Sequence, residues 1–504
     1  MKRYCWITTT LLTLSACGQA GDPPHLPQPA AVVSADAVAP LERTRFADLP
    51  PAVQIDFQTP SEVDQQIKAE LLDAIAGSRN YSDIIRQNAR RGGVEAARTE
   101  RDLPRARRDL VAISNNLKSL SSTGTQTYVL IHTAERGQPL KAWLISPDGK
   151  IVYDQSAEPY TNLDGVSEGL GVKRISASRQ PRAKDEPLPT DAEIAKAEAA
   201  DKTAKSVALR KATLTRTANT LLPGKVAQAL GTRSGRLLII PAFDTGTAPY
   251  AALPLANGYA GENWSLVVVP GIEGLVSGDG AFDFGALDIS KAVVFGDPDL
   301  SDDPSWNWAK LKGARAEALA TADTLGIPVT QVMIGKDATR PAFEKAMKAR
   351  SDIGLVYIAS HAVSNPQNPL TKGYIAMRGG HYFAGEIRGE NVPGWPIVVL
   401  SACQTGLGGT LQGGHFGVAQ AWMTAGAGQV VASLWNVSDT ATKILMGHFV
   451  DHLKAGEAPE FAMQKAQVET LNYRAADGTY PYAEDPKKWA SFTIFGLPSI
   501  NSAP

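Results

Sequence analysis

The run from Ile397 to Ser401 (IVVLS) is apolar without alternation, the pattern of a strand buried on both faces. It leads to Cys403, after which Gly406, Gly408 and Gly409 open a loop. A second such run, Gly354 to Ser360 (GLVYIAS), ends at His361. Further strand patterns fall at Leu237–Ile240, Trp264–Val269, Ala292–Phe295 and Gln429–Leu434. Helical periodicity falls between them, at Ala314–Leu325, Arg340–Arg350, Gly417–Ala425, Asp439–Ala455 and Pro459–Asn472. Strands alternating with helices predict a parallel or mixed sheet covered on both faces. In such sheets ligands and chemistry gather at the carboxyl ends of the strands. If the strands ending at His361 and Cys403 are parallel neighbours, an imidazole stands beside a thiol, which is a base within reach of a nucleophile.

Upstream the pattern differs. Thr127–Thr133 (TYVLIHT), Lys141–Ser146 and Ile151–Tyr153, separated by turn-rich segments, predict a β-meander. Asp191 to Gln228 predicts helix, broken near Pro223-Gly224. Glu62 to Ala76 carries Val63, Ile67, Leu71, Leu72 and Ile75 at helical spacing, and residues 61–126 are expected to form a helical N-terminal region. Arg86 to Arg108 is strongly basic and is expected to be a solvated face, anionic lipid head groups being the one partner its position suggests.

At the start, Lys2 and Arg3 precede a short apolar run, Trp6 to Leu14, too short to span a bilayer. Leu14-Ser15-Ala16-Cys17 looks like a bacterial lipobox. The expectation is a lipoprotein signal peptide over residues 1–16 and a lipidated Cys17. A Pro- and Ala-rich tether follows to residue 60 and lifts the folded part off the membrane. Export to the bacterial cell envelope follows, and Gly18 after Cys17 favours the periplasmic side of the outer membrane.

Composition narrows the chemistry. The 504 residues allow two or three domains, and 43% hydrophobic residues allow a substantial core. A net charge of −1 gives no basis for nucleic-acid binding. Of three cysteines, Cys5 is expected to leave with the signal and Cys17 to be acylated, so no second thiol in the chain remains to form a disulfide with Cys403. In a compartment that favours disulfides, a lone thiol is either buried and inert or kept for its reactivity. No cofactor and no metal are expected. His361, Cys403 and His415 lack short-spaced pairing for zinc. His448 and His452 stand at i,i+4 without the acidic residue of an HExxH pattern, and are read as surface or packing residues.

An ordered series of motifs carries a resemblance. It runs through Tyr250-Ala251-Ala252-Leu253-Pro254, Gly296-Asp297-Pro298, Lys312-Gly313-Ala314-Arg315-Ala316-Glu317 and Ser360-His361-Ala362. It continues with Leu400-Ser401-Ala402-Cys403-Gln404-Thr405-Gly406, Ala432 to Asp439, and Trp489-Ala490-Ser491-Phe492 with Phe495-Gly496-Leu497-Pro498. Across roughly Thr127 to Pro498 the chain resembles the CHAT domain, a branch of the caspase–separase cysteine peptidase clan. The resemblance implies a CHAT domain over 127–504, with a β-meander and helical part over 127–235 and a caspase-like catalytic part over 236–504. The fold class implied is α/β, a caspase-like three-layer sandwich with a mostly parallel central sheet, preceded by the meander and a helical segment. It further implies a cysteine endopeptidase, latent or active, with Cys403 as nucleophile and His361 as general base and acid. Backbone N–H groups of Cys403 and Ala362 would hold the oxyanion, and Trp435 and Asp439 would help to form the substrate pocket. Protein or peptide is then the substrate, and a latent enzyme calls for an activating partner. The alternative is a catalytically silent caspase-like scaffold that binds a partner protein. Ala362 stands where the clan often has Gly, and Gln404 where CHAT sequences more often have Glu. No helical repeat precedes the domain.

Overall fold

The computed structural model describes residues 68–76, 103–172 and 182–500, apart from short breaks, chiefly within 189–201, 277–280, 390–391 and 412–413. The expected signal peptide, Cys17 and the tether lie outside the described residues, as do Val63, Ile67 and most of the basic run. Eleven strands build one sheet: β1 Thr127–Thr133, β2 Pro139–Ile145, β3 Ile151–Pro159, β4 Gly235–Ile240, β5 Trp264–Val268, β6 Ala292–Pro298, β7 Met333–Gly335, β8 Leu355–Ala359, β9 Ile397–Ser401, β10 Gln429–Ser433 and β11 Phe492–Gly496. Their order across the sheet is β7-β6-β8-β9-β10-β11-β5-β4-β1-β2-β3.

The sheet has two parallel blocks of opposite direction. β7, β6, β8, β9 and β10 run parallel. So do β11, β5, β4 and β1. The blocks meet where β11 pairs antiparallel with β10, Val431 opposite Ile494. The meander is the far end of this same sheet, since β1 pairs parallel with β4 (Leu130 opposite Ile239) and β2 and β3 follow antiparallel. Two strands, β7 and β11, were not expected from the hydrophobic pattern. β7 has only three residues, and Phe492–Gly496 stood out only as a motif.

Alternation along each strand sorts side chains onto the two faces of the sheet. On one face Val294, Leu355, Tyr357, Ile397, Val399, Val431 and Ile494 meet four helices, α1 Leu103–Ser122, α4 Lys312–Leu325, α7 Asp439–Lys454 and α8 Pro459–Leu471. On the other, Leu130, Leu144, Leu237 and Ile239 meet α2 Ala204–Leu221 and α3 Gly224–Gly231. Farther along that face, Phe295, Val356, Ile358, Val398 and Val430 meet α5 Arg340–Lys348 and α6 Val418–Ala425. Helix, sheet and helix form the three layers expected. Helix 68–76 adds Leu71, Leu72 and Ile75 to the first core.

A buried ion pair fastens the junction of the two blocks. Arg236 on β4 donates to Glu460 on α8 at 2.9 Å, to the Ser499 carbonyl at 2.6 Å and to Thr127 Oγ1 at 3.2 Å. Gln429 on β10 donates to the second Glu460 oxygen at 3.1 Å. Burial pushes the Arg236 guanidinium below its ordinary value, and the Glu460 charge opposes this. Thr127, Ser499 and Gln429 add hydrogen bonds to the buried charges, which offset the cost of taking them out of water.

Candidate active site

β8 and β9 are parallel neighbours with Ala359 opposite Ser401. Beyond them Ser360 N–H donates to the Ser401 carbonyl at 3.2 Å. His361 and Cys403 each stand two positions past the paired residues, on adjoining strand ends. The register thus meets the condition of parallel neighbours and sets the two residues at adjoining strand ends.

Each is held by its backbone. Past Cys403 the chain turns through Gln404, whose φ of 55° is left-handed and uncommon for a residue with a side chain. The turn is tied to β10 and its continuation. Gln404 N–H donates to the Trp435 carbonyl at 3.3 Å and Gly406 N–H to the Ser433 carbonyl at 2.8 Å. Ser433 Oγ donates to the Ala402 carbonyl, and Ser433 N–H to Thr405 Oγ1 at 3.0 Å. Gly406 has no room for a side chain, because a Cβ there would lie 2.9 Å from the Ser433 carbonyl and 3.2 Å from the Phe495 ring. On the other strand Ser360 Oγ donates to the Ala376 carbonyl at 2.7 Å, and Ala376 N–H donates to the His361 carbonyl at 2.9 Å. Ala362 continues in a two-residue strand, paired with Ile375.

The His361 ring has a defined tautomer. Its Nε2 lies 2.7 Å from the Ala309 carbonyl. A carbonyl only accepts, so Nε2 carries the proton and Nδ1 is the atom that can receive one. The indole of Trp308 lies against this ring, centroids 4.7 Å apart and planes at 46°. Trp308 Nε1 donates to Asp303 at 2.8 Å. Burial works against the Asp303 charge. The bonds from Trp308, Ser305 N–H and Trp306 N–H, with the nearby His381, nevertheless hold its carboxyl below the usual range. None of Asp303, Trp308 and Ala309 was singled out from the sequence. The available signal was two tryptophans two positions apart in an otherwise polar loop, DDPSWNWAK.

Both side chains are enclosed, Cys403 at 0% and His361 at 1% exposure. Cys403 is a thiol, not a disulfide. It lies in the same core as Leu311, Ala314, Val431 and Val437.

The residues expected in the substrate pocket are engaged by the fold in this conformation. Trp435 is buried, with Nε1 donating to the Lys487 carbonyl at 3.3 Å. Asp439 begins α7, yet its carboxylate accepts the N–H groups of Gly313 and of Ala314, the latter at 3.0 Å, at the start of α4. A carboxylate at a helix N-terminus meets both unpaired donors and the positive end of the dipole. His415 lies in the hairpin Gly408–Leu411/Gly414–Gly417, opposite Thr410. His448 and His452 pair with Glu469, each at 3.0 Å. Among the described residues no cluster of His, Cys, Asp or Glu is arranged to hold a metal ion, and no helix is long and apolar enough to cross a membrane.

Comparison with known proteins bears on the family and the fold. The family model described as CHAT domain matches residues 211–497, more than half of the chain. Tetratricopeptide repeat protein 28 of Mus musculus is 23% identical over 314 residues, which is 52% of this chain and 12% of that protein. Its Homo sapiens counterpart is 23% identical over 312 residues, with the same shares. The chain therefore spans about one eighth of the length of these relatives. Among solved structures, Saccharomyces cerevisiae separase, in its complex with securin, has a TM-score of 0.52 at 9% identity, covering 88% of this chain and 34% of that one. That likeness is one of fold, and it bears out the caspase-like α/β architecture.

Proposed function

The chain belongs to the CHAT domain family, and from that premise we propose that it is a latent cysteine endopeptidase that cuts protein substrates through Cys403 and His361. The observation that carries this reading is the parallel register that sets both residues at adjoining strand ends, with His361 already in the tautomer a base requires.

The chemistry follows from that arrangement. His361 Nδ1 takes the Cys403 proton, and the thiolate attacks the scissile carbonyl carbon. The N–H groups of Cys403 and Ala362 are assigned to the oxyanion. The imidazolium returns its proton to the leaving amine as the C–N bond breaks, leaving a thioester. Water, deprotonated by the same imidazole, then attacks the thioester, releases the acid and restores the thiol. Latency rests on the enclosure of both side chains. A peptide reaches the sulfur only after the segments around it move, and an activating partner is one means of moving them. The same enclosure also favours the second reading, a silent caspase-like scaffold that binds a partner protein.

Lys2, Arg3 and the Leu14–Cys17 motif support placement on the cell envelope through a lipid on Cys17. Two experiments test these readings. Unfolded casein is incubated with the wild-type chain, with Cys403→Ala and with His361→Ala, before and after mild denaturant opens the fold. Cleavage in the wild type alone supports the peptidase. Identical patterns in all three support the scaffold. Metabolic labelling with an alkynyl fatty acid should mark the wild type and not Cys17→Ala, and equal labelling of both would remove the anchor.

A further inference from the structure

Trp308 has more constraints than packing requires. Asp303 collects four donors: Ser305 N–H at 2.8 Å, Trp306 N–H at 3.1 Å, Trp308 Nε1 at 2.8 Å and His381 Nε2 at 3.1 Å. His381 is stacked flat on Tyr374, centroids 4.3 Å apart at 7°, and meets the indole edge-on at 5.9 Å. Leu300, Tyr374 and Ala376 close the remaining side in one small cluster with Trp308. The loop is pinned from outside by Arg182–Ala183, which pairs with Trp306–Asn307, and by Lys184 Nζ on the Asp303 carbonyl at 2.7 Å. All of this fixes one ring, and that ring lies 4.7 Å from the imidazole of His361.

A tryptophan ring carries negative charge on its face and attracts a cation within about 6 Å of its centroid. A neutral imidazole gains much less. The contact therefore favours the protonated form of His361, the form that accompanies a thiolate. Resting on the peptidase reading of this site, we propose that Trp308 is a positioning residue, aligned by Asp303, that stabilises the His361 imidazolium and so promotes ionisation of Cys403. The other ionisable groups on the elements around the ring are few. Asp297 ends the neighbouring strand β6, with Arg315 and Asp439 beyond it, and Asp303 and His381 stand behind the indole. Asp297 is pushed above the usual carboxylate range by burial, against the Leu311 N–H and Arg315.

The test is thiolate absorbance at 240 nm against pH, taken on the full chain as the difference from Cys403→Ser, which cancels the other cysteines. The midpoint reads the sulfur and imidazole as a coupled pair. Expected results are a wild-type midpoint below the ordinary thiol value of about 8.5 and a rise of about one pH unit in Trp308→Leu. Trp308→Phe, which keeps an aromatic face, should stay near the wild type. Asp303→Asn should shift upward by less than Trp308→Leu. If Trp308→Leu does not fold, Trp308→Met fills the space without a π face and carries the same expectation. A midpoint unchanged in Trp308→Leu or Trp308→Met, while His361→Ala raises it, overturns the role of Trp308 and leaves the dyad standing. A midpoint that His361→Ala does not move overturns the dyad, and this inference with it.

Discussion

His361 Nε2 donates its proton to the Ala309 carbonyl at 2.7 Å. In the proposed mechanism, that bond decides which ring nitrogen serves as the base. With Nε2 occupied, only Nδ1 can take the thiol proton and later return it to the leaving amine. His361→Ala is expected to lower the rate of substrate cleavage by about 10²- to 10⁴-fold and Cys403→Ala to abolish it, both with near-native melting temperatures. Turnover of a quenched peptide, followed beside a thermal melt, checks this. A His361→Ala enzyme with wild-type turnover would remove His361 from the mechanism.

Gly406 separates geometry from chemistry. Its substitution touches neither reactive side chain, but a Cβ would press on the Ser433 carbonyl and the Phe495 ring. Gly406→Ala should displace the turn that carries Cys403, at a cost of about 1–3 kcal/mol. Cys403 modification should slow more than the stability loss explains. Urea unfolding and labelling rates on the same samples decide it.

Glu460 tests the junction between the two parallel blocks. Removing it leaves the Arg236 guanidinium buried without a counter-charge and strips partners from Gln429 and Ser499. Glu460→Ala should cost about 3–5 kcal/mol, seen as a lower urea midpoint. Cleavage per folded molecule should be unchanged, because the network lies away from the strand ends that carry Cys403 and His361.

His132 on β1 gives a pH dependence of the fold. Burial pushes its pKa down to about 4, although its bond to the Leu221 carbonyl opposes this. The folded value lies below the unfolded one of about 6.5, so the unfolded chain binds more protons between them. Stability is then full above about pH 6.5 and falls as the pH drops toward 4. The slope approaches about 1.4 kcal/mol per pH unit for this one group. Urea titrations from pH 7.5 to 4.5 should show the fall, and His132→Gln should flatten it. Parallel curves for the two proteins would assign the slope to other groups.

Much of the fold is legible because buried parallel strands leave long apolar runs. Gly354–Ala359 and Ile397–Leu400 match β8 and β9 to within a residue, and the helices from Ala314 to Asn472 fall where their periodicity lies. What local pattern lacks is neighbourhood. Nothing in FTIFG says that β11 lies between β10 and β5, antiparallel to the first and parallel to the second, or that the meander extends the same sheet. The placing of His361 and Cys403 at adjoining strand ends follows from two strand ends and one assumption of adjacency. Asp439 shows the opposite case. Its place before a helical run is that of a capping residue, but the helix its carboxylate caps, α4, is remote in the chain. Trp308 and Ala309 sit in a loop whose contact with His361 is wholly tertiary.

The central claim is that adjoining strand ends make Cys403 and His361 a working pair. The most direct measurement is the rate of Cys403 alkylation by iodoacetamide against pH, followed by intact mass, in the wild type and in His361→Ala. The account predicts an apparent midpoint below the ordinary thiol value of about 8.5 in the wild type, moved upward in the variant. The same midpoint in both proteins would contradict it.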